Sequence, residues 1–242
     1  MIMKTAGVDV DSQKVARYER FGKEYFQTFH RTTRTQEKVE IARFLADYMA
    51  KVVPHASRLL EVGCGLGFIL QATARTVRTV VGLDISEHAL YRAKARAPLS
   101  SLSSLCRCDV ERFSSPFKPG TFDLVTAFDL LEHLKRPDLL ARTSWDLLRD
   151  RGAFVGTTPN EEFLGRGIFK DRDPTHISKL TPAKLRGLLE AAGFSRVDVT
   201  GVLAFALPFG ESLRNRLDFS MVKPITSDLY PICQELLFVA GK

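Results

Sequence analysis

From Asp11 to Lys51 the apolar positions recur every three or four residues: Tyr18, Phe21, Tyr25, Phe26 and Phe29, then Ile41, Phe44, Leu45, Tyr48 and Met49. That period lines one face of a helix, and the two groups predict two helices. Beyond Pro54 the pattern changes. Short continuous apolar runs alternate with helical segments, as a parallel sheet requires when helices cover both its faces. The runs predict strands at Arg58–Cys64, Thr79–Ile85, Ser104–Val110, Phe122–Phe128 and Ala153–Thr158. Helices are predicted at Phe68–Thr76, Glu87–Ala97, Pro137–Arg149 and Pro182–Ala192, with Gly152 and Gly193 as C-terminal stops. Two more strands, Arg196–Val202 and Glu235–Ala240, can pair as a hairpin, and Leu203–Gln234 between them reads as an inserted cap.

This β/α alternation in 242 residues, without an internal repeat or a Pro/Ser-rich linker, fits one large α/β domain. Within it we expect an N-terminal helical lid (1–53), a ligand-binding core (54–202), a cap (203–234) and a last strand (235–242). At 45% hydrophobic residues the chain can bury a core, which excludes a disordered class. The net charge of +7 favours an anionic partner only weakly, because the basic residues are scattered among acids. Cys64, Cys106, Cys108 and Cys233 are too few and too irregular for a disulfide framework or a zinc ribbon, so reduced thiols and a cytoplasmic setting are expected. The longest apolar stretch near the end, Val202–Phe209, is interrupted by Pro208 and too short for a bilayer span, and no secretory leader is expected.

Chemistry enters where Leu59-Leu60-Glu61-Val62-Gly63-Cys64-Gly65-Leu66-Gly67 runs from a buried strand into a helix. Glycines at such a turn accept positive φ and let the backbone approach a ligand, while the helix start offers free N–H donors. A nucleoside-bearing cofactor suits that turn. The spacing is G-x-G-x-G, whereas dinucleotide dehydrogenases use G-x-G-x-x-G to bring a helix onto a pyrophosphate. About twenty residues on, Val80-Val81-Gly82-Leu83-Asp84-Ile85-Ser86 ends a second strand in a carboxylate, the separation that brings two adjacent strand ends together. Asp84 is expected to accept the ribose hydroxyls, and Ser86, followed by Glu87, to cap the next helix. A third acid, Asp109, stands after strand three, where it can receive an adenine amino group or cap its own loop.

Together, Glu61-Val62-Gly63-Cys64-Gly65-Leu66-Gly67, Gly82-Leu83-Asp84-Ile85-Ser86, Phe122-Asp123-Leu124-Val125 and Gly152-Ala153-Phe154-Val155 resemble the successive motifs of class I S-adenosylmethionine (SAM) dependent methyltransferases, over roughly Arg58 to Phe194. SAM has no pyrophosphate, in keeping with the glycine spacing. The resemblance implies a Rossmann-like, seven-stranded, mostly parallel sheet in the order 3-2-1-4-5-7-6 with strand seven antiparallel. It implies SAM contacts from Glu61, Gly63, Cys64, Gly65, Gly67, Asp84, Ile85, Asp109, Val110 and Phe128.

The family places Asp129-Leu130-Leu131-Glu132-His133-Leu134 beside the reacting methyl group. Methyl transfer is an in-line displacement, so the protein must align the acceptor and, for a hydroxyl, help remove its proton. His133 and His176 are candidates because imidazole titrates near neutral pH, though each can instead order its own turn. Asp129-x-x-Glu132-His133 with the distant His176 in Asp173-Pro174-Thr175-His176-Ile177 resembles the E-x-x-E-H plus distal His of ubiquinone-biosynthesis O-methyltransferases and of small-RNA 2′-O-methyltransferases. There these side chains ligate a divalent metal. Here Asp129 is shorter than the Glu it replaces, and the expected site is metal-free, with Glu132, His133 and His176 as its catalytic groups.

Thr157-Thr158-Pro159-Asn160 and Leu180-Thr181-Pro182-Ala183-Lys184-Leu185 through Ala192-Gly193-Phe194 also resemble the ubiquinone-type enzymes. The acceptor expected on that ground is a small hydroxylated molecule. An RNA methyltransferase is the alternative within the class; it requires a continuous basic face, of which Arg214, Arg216 and Lys223 offer a fragment. A catalytically silent SAM-fold partner subunit is the alternative outside it, with the intact glycine and acidic motifs against it.

Overall fold

A computed structural model describes residues 21–29, 35–96, 103–112, 116–167, 173–202 and 227–242. Two helices, α1 (Lys23–Phe29) and α2 (Thr35–Val52), precede the sheet. Strands β1 (Arg58–Val62), β2 (Thr79–Asp84), β3 (Ser103–Arg107), β4 (Phe122–Phe128) and β5 (Leu148–Pro159) then alternate with helices α3 (Phe68–Thr73), α4 (Glu87–Arg96) and α5 (Pro137–Leu147). Helix α6 (Pro182–Ala191) leads to β6 (Arg196–Val202), and β7 (Glu235–Gly241) completes the sheet. Most of the cap, 203–226, lies outside the described residues, as does Tyr18.

The seven strands lie in the order β3-β2-β1-β4-β5-β7-β6, parallel except for β7, which runs antiparallel to both β5 and β6. This is the expected Rossmann-like arrangement, and β6 and β7 do pair with each other. Alternation along the strands divides the core. Leu59, Val80, Leu124 and Val155 join one cluster with Ala42, Leu45 and Met49 of α2 and Ile69 and Leu70 of α3. Leu60, Val81, Val125 and Phe154 point the other way, onto Leu140, Ala141 and Leu147 of α5 and Leu185 and Leu189 of α6. With both faces covered, each fully buried Leu, Val or Phe contributes ~1.5–3 kcal/mol of transfer free energy. Strands buried on both sides therefore read as near-continuous apolar runs.

The fifth helix and the strand after it depart from the sequence expectation. Helix α5 stops at Leu147, and Leu148 already pairs with Phe122. Gly152 therefore lies inside β5 and does not stop the helix; Arg151, at φ 64°, makes the left-handed turn instead. The strand takes Leu148 and Arg149 because Asp123 recruits them: the Arg149 guanidinium pairs with its carboxylate, which also accepts hydrogen bonds from the Ser57 and Arg58 N–H groups at 2.8 Å. That buried carboxylate ties the start of β1 to β4 and β5. Gly193 behaves as expected, at φ 109° just after α6. The other element ends move by one to three residues, as frayed ends do.

Candidate active site

The parallel strands β1, β2, β4 and β5 end along one edge, where an open α/β sheet presents its ligand crevice. After β1 the chain turns through Gly63, Gly65 and Gly67 at φ 70°, 50° and 79°. At Gly67 the reason is packing as well as φ, since a Cβ there would lie 2.7 Å from Ala93 Cβ of α4. At Gly65 a Cβ would meet nothing closer than Phe26 Cε1 at 4.0 Å, so the backbone faces open space, as a ligand cradle must. The neighbouring Cys64 is buried, with its N–H on the Leu83 carbonyl, so its side chain belongs to the core.

Asp84 closes this loop from β2. One carboxylate oxygen accepts the Gly65 N–H at 2.7 Å and the other the Ser86 N–H at 2.8 Å. Ser86 Oγ accepts the Ala89 N–H, the N-cap role expected of it. Asp109, beyond β3, accepts the Glu111 N–H in its own turn. Ile85 and Phe128 stand at the ends of β2 and β4, and Val110 opens a short 3₁₀ turn after β3, all three partly buried.

Glu61 is buried beneath the loop, and its Oε2 has no hydrogen-bond partner among the described residues. Burial, then the neighbouring Asp84 charge, push its carboxyl well above the usual range against one backbone hydrogen bond from Leu70. Burial raises the Asp84 carboxyl too, opposed by the N–H groups of Ser86, Gly65 and Ile85. An unmatched buried acceptor beside an open glycine cradle fits a ligand that brings its own donors, as SAM does with its ammonium and hydroxyl groups.

The raised Glu61 carboxyl has a consequence for stability. Below the unfolded value of about 4.3 both states hold the proton. As pH rises towards the higher folded value, the unfolded chain releases a proton that the native state retains, and stability falls. Glu61→Gln should therefore raise the Tm of cofactor-free protein at neutral pH, on the scale of ~2–4 °C per kcal/mol recovered. The gain should vanish near pH 4, and scanning calorimetry at the two pH values checks it. A gain of equal size at both would contradict the raised carboxyl.

The second half of the site is built on the ends of β4 and β5. Asp129, at φ 49°, follows β4, and a 3₁₀ turn at Leu131–His133 follows it. The two threonines that end β5 hold these acids: Thr157 Oγ1 donates to Asp129 Oδ1 at 2.6 Å and Thr158 Oγ1 to Glu132 Oε2 at 3.0 Å. Asp129 is exposed to solvent, yet protein atoms surround its carboxylate on the inner side. That enclosure raises its carboxyl, while Thr157 and His176 oppose the shift.

The loop bearing His176 is stitched to the same turn. The Ile177 and Ser178 N–H groups both donate to the Glu132 carbonyl, and Ser178 Oγ donates to the Leu134 carbonyl. Donor atoms of Glu132, His133 and His176 consequently fall within 4.8 Å of one another, and the two imidazole rings meet edge-on at 4.7 Å. A carboxylate and two imidazoles at that spacing suit either proton removal or a divalent transition metal. Asp129 touches this cluster through its charge on His176 but is engaged by Thr157 and stands outside the three-residue group.

Three features here were not assigned from sequence. Asp173 and Thr175 form a compact hydrogen-bonded turn ahead of His176, for which the Asp-Pro-Thr-His run was the available signal. Tyr25 of α1 donates to Asp173 at 3.1 Å. Phe26, one residue on, stands beside Gly65 and tilts against His88. Helix α1 thus touches both the glycine loop and the histidine cluster. The two halves also abut directly, because a Cβ on Gly63 would lie 2.9 Å from Leu130 Cδ1. Among the described residues no helix is long and apolar enough to cross a membrane.

Known proteins resemble this chain in sequence and in fold. Residues 60–156 match the methyltransferase domain family. A protein of Mycolicibacterium smegmatis named as a probable S-adenosylmethionine-dependent methyltransferase is 32% identical over 147 residues, 60% of this chain and about half (54%) of that protein's length. The ubiquinone biosynthesis O-methyltransferase of Psychrobacter arcticus is 28% identical over 81% of this chain and 86% of its own length. The crystal structure of a SAM-dependent methyltransferase from Archaeoglobus fulgidus superposes with a TM-score of 0.64 at 18% identity, covering 90% of this chain and 99% of that one. Residues 60–156 thus carry a match to the methyltransferase domain family, and with its strand order and its glycine loop between β1 and α3 the chain is similar to the class I SAM-dependent methyltransferases, whose cofactor is S-adenosylmethionine.

Proposed function

We propose that this chain transfers the methyl group of SAM to a hydroxyl of a small molecule. The observation that carries the reading is the convergence of Glu132, His133 and His176 beside the glycine loop. SAM supplies an electrophilic methyl on a sulfonium. The backbone of Gly63, Gly65 and Gly67, with Asp84 on the ribose and Asp109 towards the adenine, orients that methyl across the sheet edge. His176 or His133 takes the acceptor proton as the oxygen approaches, and Glu132, anchored by Thr158, offsets the charge that develops on the imidazole. Helix α1, with Tyr25 and Phe26, covers the pocket and excludes water as part of an N-terminal lid (1–53).

The similarity to ubiquinone-biosynthesis O-methyltransferases supports a hydroxyl acceptor. The clustered donors also support a second reading, in which Glu132, His133 and His176 hold a divalent ion that lowers the acceptor hydroxyl's pKa. Arg214, Arg216 and Lys223, the basic fragment an RNA acceptor would use, lie outside the described residues. Incubation with methyl-labelled SAM and a panel of phenols, sugars, hydroxy acids and RNA tests the proposal. Label should appear in a hydroxylated small molecule; transfer to RNA with none to small molecules would overturn the assignment. No transfer to anything, together with failure to bind SAM, would favour a silent partner subunit.

A further inference from the structure

The position of the proton on His133 follows from its neighbours. Thr175 Oγ1 lies 2.8 Å from His133 Nδ1 and 2.5 Å from Asp173 Oδ1. Asp173 is surrounded by donors: the Thr175 N–H reaches Oδ1 at 2.8 Å and the Tyr25 hydroxyl reaches Oδ2 at 3.1 Å. A carboxylate that gathers donors on both oxygens is the acceptor of this turn. An ionised carboxylate only accepts, and a threonine hydroxyl has one proton to give. Tyr25 is also within reach of Thr175, but of the three oxygens only Asp173 carries full charge, so both hydroxyl protons go to it. Thr175 Oγ1 therefore turns a lone pair towards His133, and Nδ1 must carry the hydrogen.

We infer that Asp173 and Thr175 form a relay that fixes neutral His133 as the Nδ1–H tautomer and leaves its lone pair on Nε2. Neither residue need touch substrate or cofactor; both are positioning residues acting through His133. The ring is held in place as well as in tautomer, packed edge-on by Phe21, Tyr25 and His176 at 5.6, 6.2 and 4.7 Å. An imidazole serves as base or ligand only through the nitrogen that bears the lone pair, so the relay selects Nε2 for either role. The consequence for turnover rests on the proposed methyl transfer, whereas the tautomer does not.

Long-range ¹H–¹⁵N correlation spectra of the ¹⁵N-histidine-labelled chain, without SAM or acceptor, read the tautomer directly. His133 is identified by the signal lost in His133→Gln. Above the titration range the parent protein should show a protonated Nδ1 and a pyridine-like Nε2. Thr175→Val, which keeps shape but removes the acceptor, should shift His133 towards the Nε2–H form that a free imidazole side chain favours. Thr175→Ser should restore the parent spectrum. With the acceptor found by the labelled-SAM panel, Thr175→Val should lower kcat by roughly 10–100-fold, the range for lost outer-shell partners, with KM for SAM unchanged. A parent spectrum with His133 as Nε2–H overturns the inference, as does a Thr175→Val spectrum that still shows Nδ1–H. Both readings stand apart from turnover, so they remain decisive if the acceptor assignment fails.

Discussion

Asp84→Ala should weaken SAM binding by about 10²–10⁴-fold, because two charge-assisted hydrogen bonds to the ribose hydroxyls are worth ~1.5–3 kcal/mol each. The side chain has a second duty that adds to the loss. Its two oxygens accept the Gly65 and Ser86 N–H groups, so removing them also frees the cradle that should meet the cofactor. Titration calorimetry of parent and variant decides the matter, with thermal unfolding run alongside to verify that the variant is folded. Undiminished affinity in a folded Asp84→Ala protein would refute the ribose role.

His176→Ala should reduce kcat by about 10²–10⁴-fold, the span for losing a positioned general base, and leave SAM affinity close to that of the parent. The geometry motivating it is the stitching of Ile177 and Ser178 to the Glu132 carbonyl, which carries His176 from a distant loop to within ligand spacing of Glu132 and His133. The same experiment separates its two roles. A base gives a pH–rate profile that loses an ionisation in the variant and survives chelator; a metal ligand gives activity that chelator abolishes and a divalent ion restores. Full turnover at every pH with no effect of chelator would leave His176 a purely structural residue.

The features legible in the sequence were those encoded over a few neighbouring residues. The bounds of β4 are legible because Phe122–Phe128 is a mostly apolar run interrupted only by Asp123 and Thr126, and the glycine loop because its strand, turn and helix are contiguous. The start of β5 was missed because Leu147 and Leu148 continue the helical apolar pattern; only Asp123, buried in the neighbouring strand, draws Arg149 into the sheet. The histidine cluster was visible as residue types, but not as a relay. Thr175 meets His133 across 42 positions and Tyr25 meets Asp173 across 148, and no local pattern records such pairs. The tight turn of Asp173 and Thr175 is what sets the Thr175 hydroxyl between Asp173 and the His133 ring.

The strand order also governs how the molecule can be assembled as it leaves the ribosome. β7 follows every other described strand in the sequence, yet it lies between β5 and β6 and pairs with Ala153–Pro159 of β5 and with β6 along its length. Until it emerges, β5 presents an unpaired interior edge, β6 has no sheet to join, and Phe154 lacks the Phe238 ring that packs against it at 5.0 Å. Asn160, directly after β5, is already the anchor for the arriving segment, donating to the Tyr230 and Cys233 carbonyls just ahead of β7. From the emergence of β5 until that of β7 the nascent chain must therefore carry an exposed, aggregation-prone edge, and the strand that covers it arrives only after everything between them has been made.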